Sequence, residues 1–384
     1  MSKNNSYQVG HRILFLVSLL WFACNGHYKT TTPQESPEES PQATVVDTPT
    51  PWVDPLFFLE GQLCQHVRQL FQDSRGDIWI GTNVYDLMRY NGDSLQYFNQ
   101  KAGFDMGRIT GIVEDKAGHI WFGTYRGLWR YSPSADSGSF TNFTEEDGLI
   151  ENEIWSLALD RNGIFWIGTM EGVSRFDGAT FSDFEVPKPA IKNENYILSP
   201  DRITAISEDL EGNIWIGTDG FGVVKYSPEQ KAFKHFTTKN GLPDNNVGRI
   251  TADSKGNIWF GTMFGGISRY DHKTFNNFTQ DSLIKGVEIA QIYEDKKGNI
   301  WFPVENHGVY RFNPSASLRP SEKSFRNFYK AEGIETNGML CMLEDQEGRF
   351  WFGGWGGLFR YNAAATNTEG DRYFFSVTEK GLRD

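Results

Sequence analysis

The sequence predicts an all-β chain, a seven-bladed β-propeller of four-stranded antiparallel blades, and three observations predict it. First, an aspartate is followed by glycine three residues later and by tryptophan six residues later in seven places: Asp73, Asp115, Asp160, Asp209, Asp253, Asp295 and Asp345. Second, the tryptophans so marked (Trp79, Trp121, Trp166, Trp215, Trp259, Trp301 and Trp351) lie 42 to 50 residues apart, the length of one propeller blade. Third, aromatic residues make up 15% of the 384 residues and there are 40 glycines, as many short aromatic strands joined by tight turns require.

Each unit can be read in chain order. An alternating strand such as VRQLFQ, ITGIVE or ITAISE leads to the aspartate, whose carboxylate can cap the next turn while the glycine supplies a positive φ. That is strand A and the A–B turn. Strand B (IWIGT, IWFGT, FWIGT) is apolar on both faces, as expected of a blade with a neighbour on each side. Strand C ends in a basic and an aromatic residue: Arg89-Tyr90, Arg130-Tyr131, Arg175-Phe176, Lys225-Tyr226, Arg269-Tyr270, Arg311-Phe312 and Arg360-Tyr361. Strand D carries paired aromatics, as in FTNFT, FKHFT and FNNFT. The D-x-x-G spacing lacks the carboxylate density of a calcium loop, so the aspartates read as turn caps, and the repeated basic residue reads as stacked on a neighbouring ring.

Residues 1–23 read as a signal peptide, because Lys3, His11 and Arg12 precede an apolar run, Ile13 to Ala23, that is shorter than the roughly 20 residues a bilayer needs. The Ala23-Cys24 pair resembles a bacterial lipobox, which implies lipidation of Cys24, although Trp21 and Phe22 depart from that pattern and leave a plain secretory signal as the alternative. Residues 24–52, rich in Thr, Pro, Ser and Glu, follow as a solvated tether, and residues 53–384 form the propeller. The formal charge of −12 is spread along the chain without a basic stripe, which argues against nucleic acid as a partner and leaves the lipid as the only link to a membrane.

Over residues 67 to 362 the pattern D-x-x-G-x-I-W-I-G-T, then G-[LI]-x-R-Y, with a T-x-x-x-G-L connector, resembles the two-component regulator propeller repeat. The resemblance implies an outer sensory domain of the kind found in hybrid histidine kinases, recognising oligosaccharides. With no second hydrophobic segment, kinase or receiver in the sequence, the expectation is signalling through a separate envelope protein partner.

Chain direction puts the A–B turns on one rim and the B–C and D–A loops on the other, round the mouth of a central channel. A residue present in every copy serves the scaffold, so the ligand-binding residues are sought where copies differ. These are Asn83, Tyr85, Tyr125, Arg126, Met170, Glu171, Asp219, Phe221, Met263, Phe264, Glu305, His307 and Trp355. Aromatic faces beside amides, carboxylates and a guanidinium suit a small molecule or glycan, with the rings at 125, 221, 264 and 355 expected to face inward. No catalytic residue, metal or cofactor is assigned.

Two rival readings remain open. The same surface could dock a protein. Alternatively, blade 6, where Pro303-Val304 replaces Gly-Thr and Glu305 and His307 share a loop, could act as in streptogramin lyases, which are similar propellers using His and Glu with magnesium. The connector at 186–200 either covers the pocket or is a surface insertion. Cys64 and Cys341 become neighbours on ring closure, either as free thiols or as a disulfide, and LFFLE at 56–60 is a spare strand beside YFFSVT at 373–378.

Overall fold

A computed structural model describes residues 64–83, 87–99, 103–133, 138–191, 195–315, 321–334, 338–365 and 372–378. Residues 1–63 lie outside the described residues, and with them the expected leader, Cys24, the tether and the spare strand at 56–60; so does Tyr85.

The described residues form seven four-stranded antiparallel sheets, each built from four consecutive strands. In blade 1 these are Val67–Gln72, Ile78–Thr82, Leu87–Tyr90 and Leu95–Phe98. Every B strand of the pattern IWIGT is buried along its whole length, because each sheet is covered on both faces. The arrangement is a β-propeller. A strands of neighbouring blades touch one another, so strand A is innermost and lines the channel.

Side chains join these inner strands to the backbone of the next blade all round the ring. Gln69 donates to the Thr110 carbonyl at 2.8 Å, Thr110 to Ile154 at 2.9 Å, Ser156 to Ile203 at 3.4 Å, and Thr204 to Val247. Arg249 then donates to the Ala290 carbonyl, and Gln291 accepts from the Met342 amide at 2.5 Å. The Cys341 thiol closes the circle on the Val67 carbonyl at 3.7 Å. Wedge contacts follow one rule as well. The glycine that ends strand B before its last residue, Gly-Thr in blade 1 and Gly-Gly in blade 7, leaves room for the aliphatic residue opening the next A strand: a Cβ on Gly81 would lie 2.7 Å from Ile109, and one on Gly353 would lie 2.3 Å from Val67.

The last pair spans blades 7 and 1, so the ring closes by ordinary blade packing. Strand D of blade 7 is the expected C-terminal segment, Phe374–Ser376, paired with Gly357–Tyr361. Cys64 and Cys341 share the buried cluster at this seam as free thiols; burial pushes the Cys64 thiol up to about 12 and Cys341 up as well.

The repeated residues form the opposite rim. Each aspartate accepts from its own tryptophan indole at 2.8 to 3.0 Å and from backbone amides of its turn. The turn glycines have φ between 76° and 93°, a region where a Cβ would be strained. All seven strand-C cations lie over the tryptophan of their own blade, 5.1 to 5.9 Å from the ring centre. Blade 6 departs from the rest. Pro303 has no amide to give to the ladder, and strand A there shrinks to Tyr293–Glu294 with an isolated bridge from Ile289 to Val304.

Candidate functional site at the channel mouth

The mouth is built where strand A begins. Seven residues before each turn aspartate the copies read His66, Arg108, Glu153, Arg202, Asn246, Glu288 and Gly338. In six blades the carbonyl of this residue accepts the amide of the first B–C loop residue: Asn83, Tyr125, Asp219, Met263, Glu305 and Trp355, at 3.0 to 3.2 Å. Two variable positions are thus tied together in each of those blades. Five residues before the aspartate a bulge interrupts the A–B pairing in six blades, at Arg68, Thr110, Trp155, Thr204, Gly248 and Leu340. A bulge leaves its residue unpaired and re-aims its side chain.

The result on blades 2 to 4 is a stack of rings and guanidinium groups. The Tyr125 and Trp155 rings are 5.3 Å apart; Arg108 lies 4.4 Å over Tyr125 and 5.6 Å from Trp155, and Arg202 lies 4.5 Å over Trp155. Arg108 also donates to the Tyr125 hydroxyl, whose pKa burial pushes up to about 12 against the pull of that cation. Across the seam of blades 7 and 1, His66 meets the edge of Trp355 at 4.7 Å. On blade 6 the Glu288 and Glu305 carboxyls are hydrogen-bonded. Burial first, and Glu305 second, push Glu288 up to about 8, so it holds a proton at neutral pH.

Several expected residues stand elsewhere or do other work. Asp219 is 0% exposed: it is paired with Arg202 at 2.9 Å and accepts the amides of Ile197, Leu198 and Ser199, so it pins the inserted connector and is not open to a ligand. Phe221 is 4% exposed and does not face the mouth; with Glu171, Phe184, Val186 and Lys188 it lines a separate cleft of about 230 Å³ between blades 3 and 4. Arg126 is engaged by Asp105. Met170 has its amide on the Glu151 carboxylate, at 3.2 Å. Phe264 is 54% exposed.

Glu305 and His307 share their loop without meeting, since the imidazole Nδ1 bonds the Glu305 backbone carbonyl at 2.8 Å while the carboxyl turns to Glu288. Among the described residues no three His, Cys, Asp or Glu side chains are gathered as a metal site. Arg68, Arg108, Trp155, Arg202, Arg249 and Glu288 lie on or at the start of strand A, outside the variable loops. Their signal was present in the repeats, as variation at fixed distances before each aspartate.

The family profile described as two component regulator propeller matches residues 61–84, 103–126, 148–171, 197–220, 241–264 and 333–356. The chain belongs to the two-component regulator propeller family. Each matched segment of this propeller runs through the A–B hairpin into the B–C loop, and none falls on blade 6, the blade altered by Pro303. No curated protein matches the sequence.

Among solved structures, the propeller is similar to the extracellular domain assigned to a hybrid two-component system of B. thetaiotaomicron. Identity is 25% and the TM-score 0.63, over 79% of this chain and 39% of that one, so this chain spans well under half of that relative. It is also similar to PorZ, a surface component of the type-IX secretion system of Porphyromonas gingivalis (14% identity, 81% of this chain and 49% of that one, TM-score 0.59). A third is virginiamycin B lyase from Staphylococcus aureus (14% identity, 78% of this chain and 95% of that one, TM-score 0.59). At 14% identity the last two show the shared fold alone. No helix among the described residues is long and apolar enough to cross a membrane.

Proposed function

We propose that this chain is a sensor-type, ligand-binding propeller of the bacterial envelope, held to a membrane by a lipid on Cys24, with its ligand seated at the channel mouth. The observation that carries the reading is the convergence there of residues that differ between blades: Tyr125 and Trp155 stacked with Arg108, His66 against Trp355, and the Glu288–Glu305 pair. Rings beside directional polar groups fit a saccharide, whose C–H faces stack while its hydroxyls take hydrogen bonds. The similarity to a sensor's extracellular domain supports the same side of the membrane for this chain and the passing of the ligand signal to a separate partner.

A glycan array read with the full chain tests the site. Trp155→Ala and Trp355→Ala are expected to lower the affinity of any bound glycan at least tenfold, since one lost ring contact is worth about 1.5 kcal/mol; unchanged affinities would move the site away from the mouth. Metabolic labelling with a fatty-acid analogue tests the anchor. Label is expected on the wild-type chain and not on Cys24→Ser, and an unlabelled wild type would leave only a secretory signal.

Docking of a protein is favoured by one observation of its own. Phe264, Tyr196 and Leu198, on loops of the mouth side, are 54%, 46% and 41% exposed. Binding of glycans that is indifferent to both tryptophan substitutions would turn the assignment towards that reading.

A further inference from the structure

Four arginines of the mouth side arise from the inner strands of blades 1, 2, 4 and 5. Only Arg202 has a carboxylate within ion-pair distance among the described residues, namely Asp219. Arg108 donates to a neutral phenol, and Arg249 to the backbone carbonyls of Ala290 and, at 2.6 Å, Gly248. Arg68 sits on the bulge of blade 1, half-buried, with its Nε out of contact with solvent and without a hydrogen-bond partner among the described residues.

The nearest acids balance these cations only in part: Glu153 interacts with Arg108 and Arg202, and Arg68 and Arg249 face the pair of Glu288 and Glu305. Glu288 carries a proton shared with Glu305, so the pair contributes less than two charges. Burial, with Arg108 and Arg249 close by, brings Arg68 down to about 9, a like-charge effect where water is scarce, and burial lowers Arg249 against the pull of Glu288.

Basic composition does not account for this, because the chain as a whole carries a formal charge of −12. Elsewhere such cations either stack on a tryptophan of their own blade, as Arg130, Arg175, Arg269, Arg311 and Arg360 do, or have a carboxylate partner. Arg75, Arg161, Lys225 and Arg349 all have carboxylates within 4 Å. Partly buried guanidinium groups without anions are costly in free energy, and an anion supplied from outside would relieve that cost with charge-assisted, bidentate hydrogen bonds.

We propose that the ligand of the mouth is anionic, a sugar bearing a carboxylate or sulfate group, and that Arg68, Arg108 and Arg249 hold that group while Tyr125 and Trp155 take the ring. This rests on reading the mouth as the ligand site, and it adds the chemical class of the ligand. The shared chemistry, an oxyanion, could equally come from a free inorganic ion, so the test carries both sources.

The experiment uses the full chain and two kinds of probe, followed by thermal unfolding and calorimetric titration. One probe is millimolar sodium sulfate against sodium chloride at equal ionic strength. The other is trigalacturonate against its carboxyl-reduced neutral counterpart. Sulfate is expected to raise the wild-type Tm beyond the chloride control, and Arg68→Gln to abolish the difference. Arg249→Gln does the same by an independent route should Arg68→Gln fail to fold, and Arg75→Gln, on the opposite rim, leaves the difference intact.

Trigalacturonate is expected to bind at least tenfold tighter than the neutral sugar, with that preference lost in Arg68→Gln. A sulfate response of equal size in Arg68→Gln, or none in the wild type, overturns the inference. Equal binding of acidic and neutral sugars that is lost in Trp155→Ala overturns it while leaving the mouth as the ligand site. A sulfate response lost in Arg68→Gln without any sugar binding supports the anion site and counts against the saccharide.

Discussion

The two rims of the propeller handle buried polar groups in opposite ways. On the A–B rim each aspartate carboxylate is saturated by groups of its own turn. Asp209, for example, accepts the Trp215 indole at 2.8 Å, the Asn213 amide at 2.9 Å and the Asn213 side chain at 3.0 Å, with Lys225 at 3.6 Å. On the mouth rim, Arg68 and Arg249 are half-buried with no carboxylate at ion-pair distance among the described residues, and two carboxyls share a proton. The repeated sequence therefore builds the rim on which every turn carboxylate is saturated, with the strand-C cations stacked on the tryptophans. The variable sequence builds the rim on which polar groups are left open, and a binding site requires groups of that kind.

The contrast is sharpest for a substitution that empties the saturated rim. In Asp209→Ala the Trp215 indole N–H and two turn amides lose their buried acceptor, and Lys225 loses its closest carboxylate. Removing an ionised partner from buried donors costs about 1.5–3 kcal/mol for the leading bond. The expected destabilisation is about 3 kcal/mol, read as a lower denaturant midpoint, while ligand affinity of the folded fraction stays as in the wild type. A variant of wild-type stability would mean that the turns do not depend on their caps.

The scaffold could be read from the sequence because it is written seven times. The spacing of Asp, Gly and Trp gave blade number and A–B turn geometry, and the repeated basic–aromatic pairs and strand-D aromatics gave the stacking of Arg89 and its six counterparts and the C-terminal strand D, all from patterns in which each copy checks the others. The residues of the proposed site could be placed only in part. Tyr125, Glu305 and Trp355 stand at the mouth as loop variation suggested, but Asp219 and Phe221 vary for a different reason: one fastens the long connector between blades 3 and 4, the other packs beneath it.

Variation in a repeat thus marks any local task, whether ligand contact or the anchoring of an insertion. Arg68 and Trp155 were hidden because they sit inside strands, where alternation leads one to expect scaffold. Their place depends on the bulge, and no residue type announces it, since the bulged position holds Arg, Thr, Trp, Gly or Leu in different blades.

A subtler perturbation of the open rim concerns pH. Glu288 is a carboxyl whose folded pKa, about 8, lies above its ordinary value of 4.5, raised by burial and by Glu305 and only partly offset by Arg249 and Arg68. The folded state therefore holds a proton that the unfolded chain has released. Stability carried by that proton is complete below about pH 4.5 and is lost as pH rises towards 8, beyond which the loss is constant. Glu288→Gln keeps a donor for Glu305 and has no proton to lose. Near pH 4.5 the variant and the wild type are expected to unfold alike, and at pH 8 the variant is expected to be more stable by about 2 kcal/mol, part of the 1.36 kcal/mol per pKa unit because the proton is shared. Unfolding midpoints measured across that range check it. Parallel curves would mean that Glu288 is ionised at neutral pH, the mouth would then carry one more negative charge, and the excess of cations that distinguishes this rim from the other would shrink accordingly.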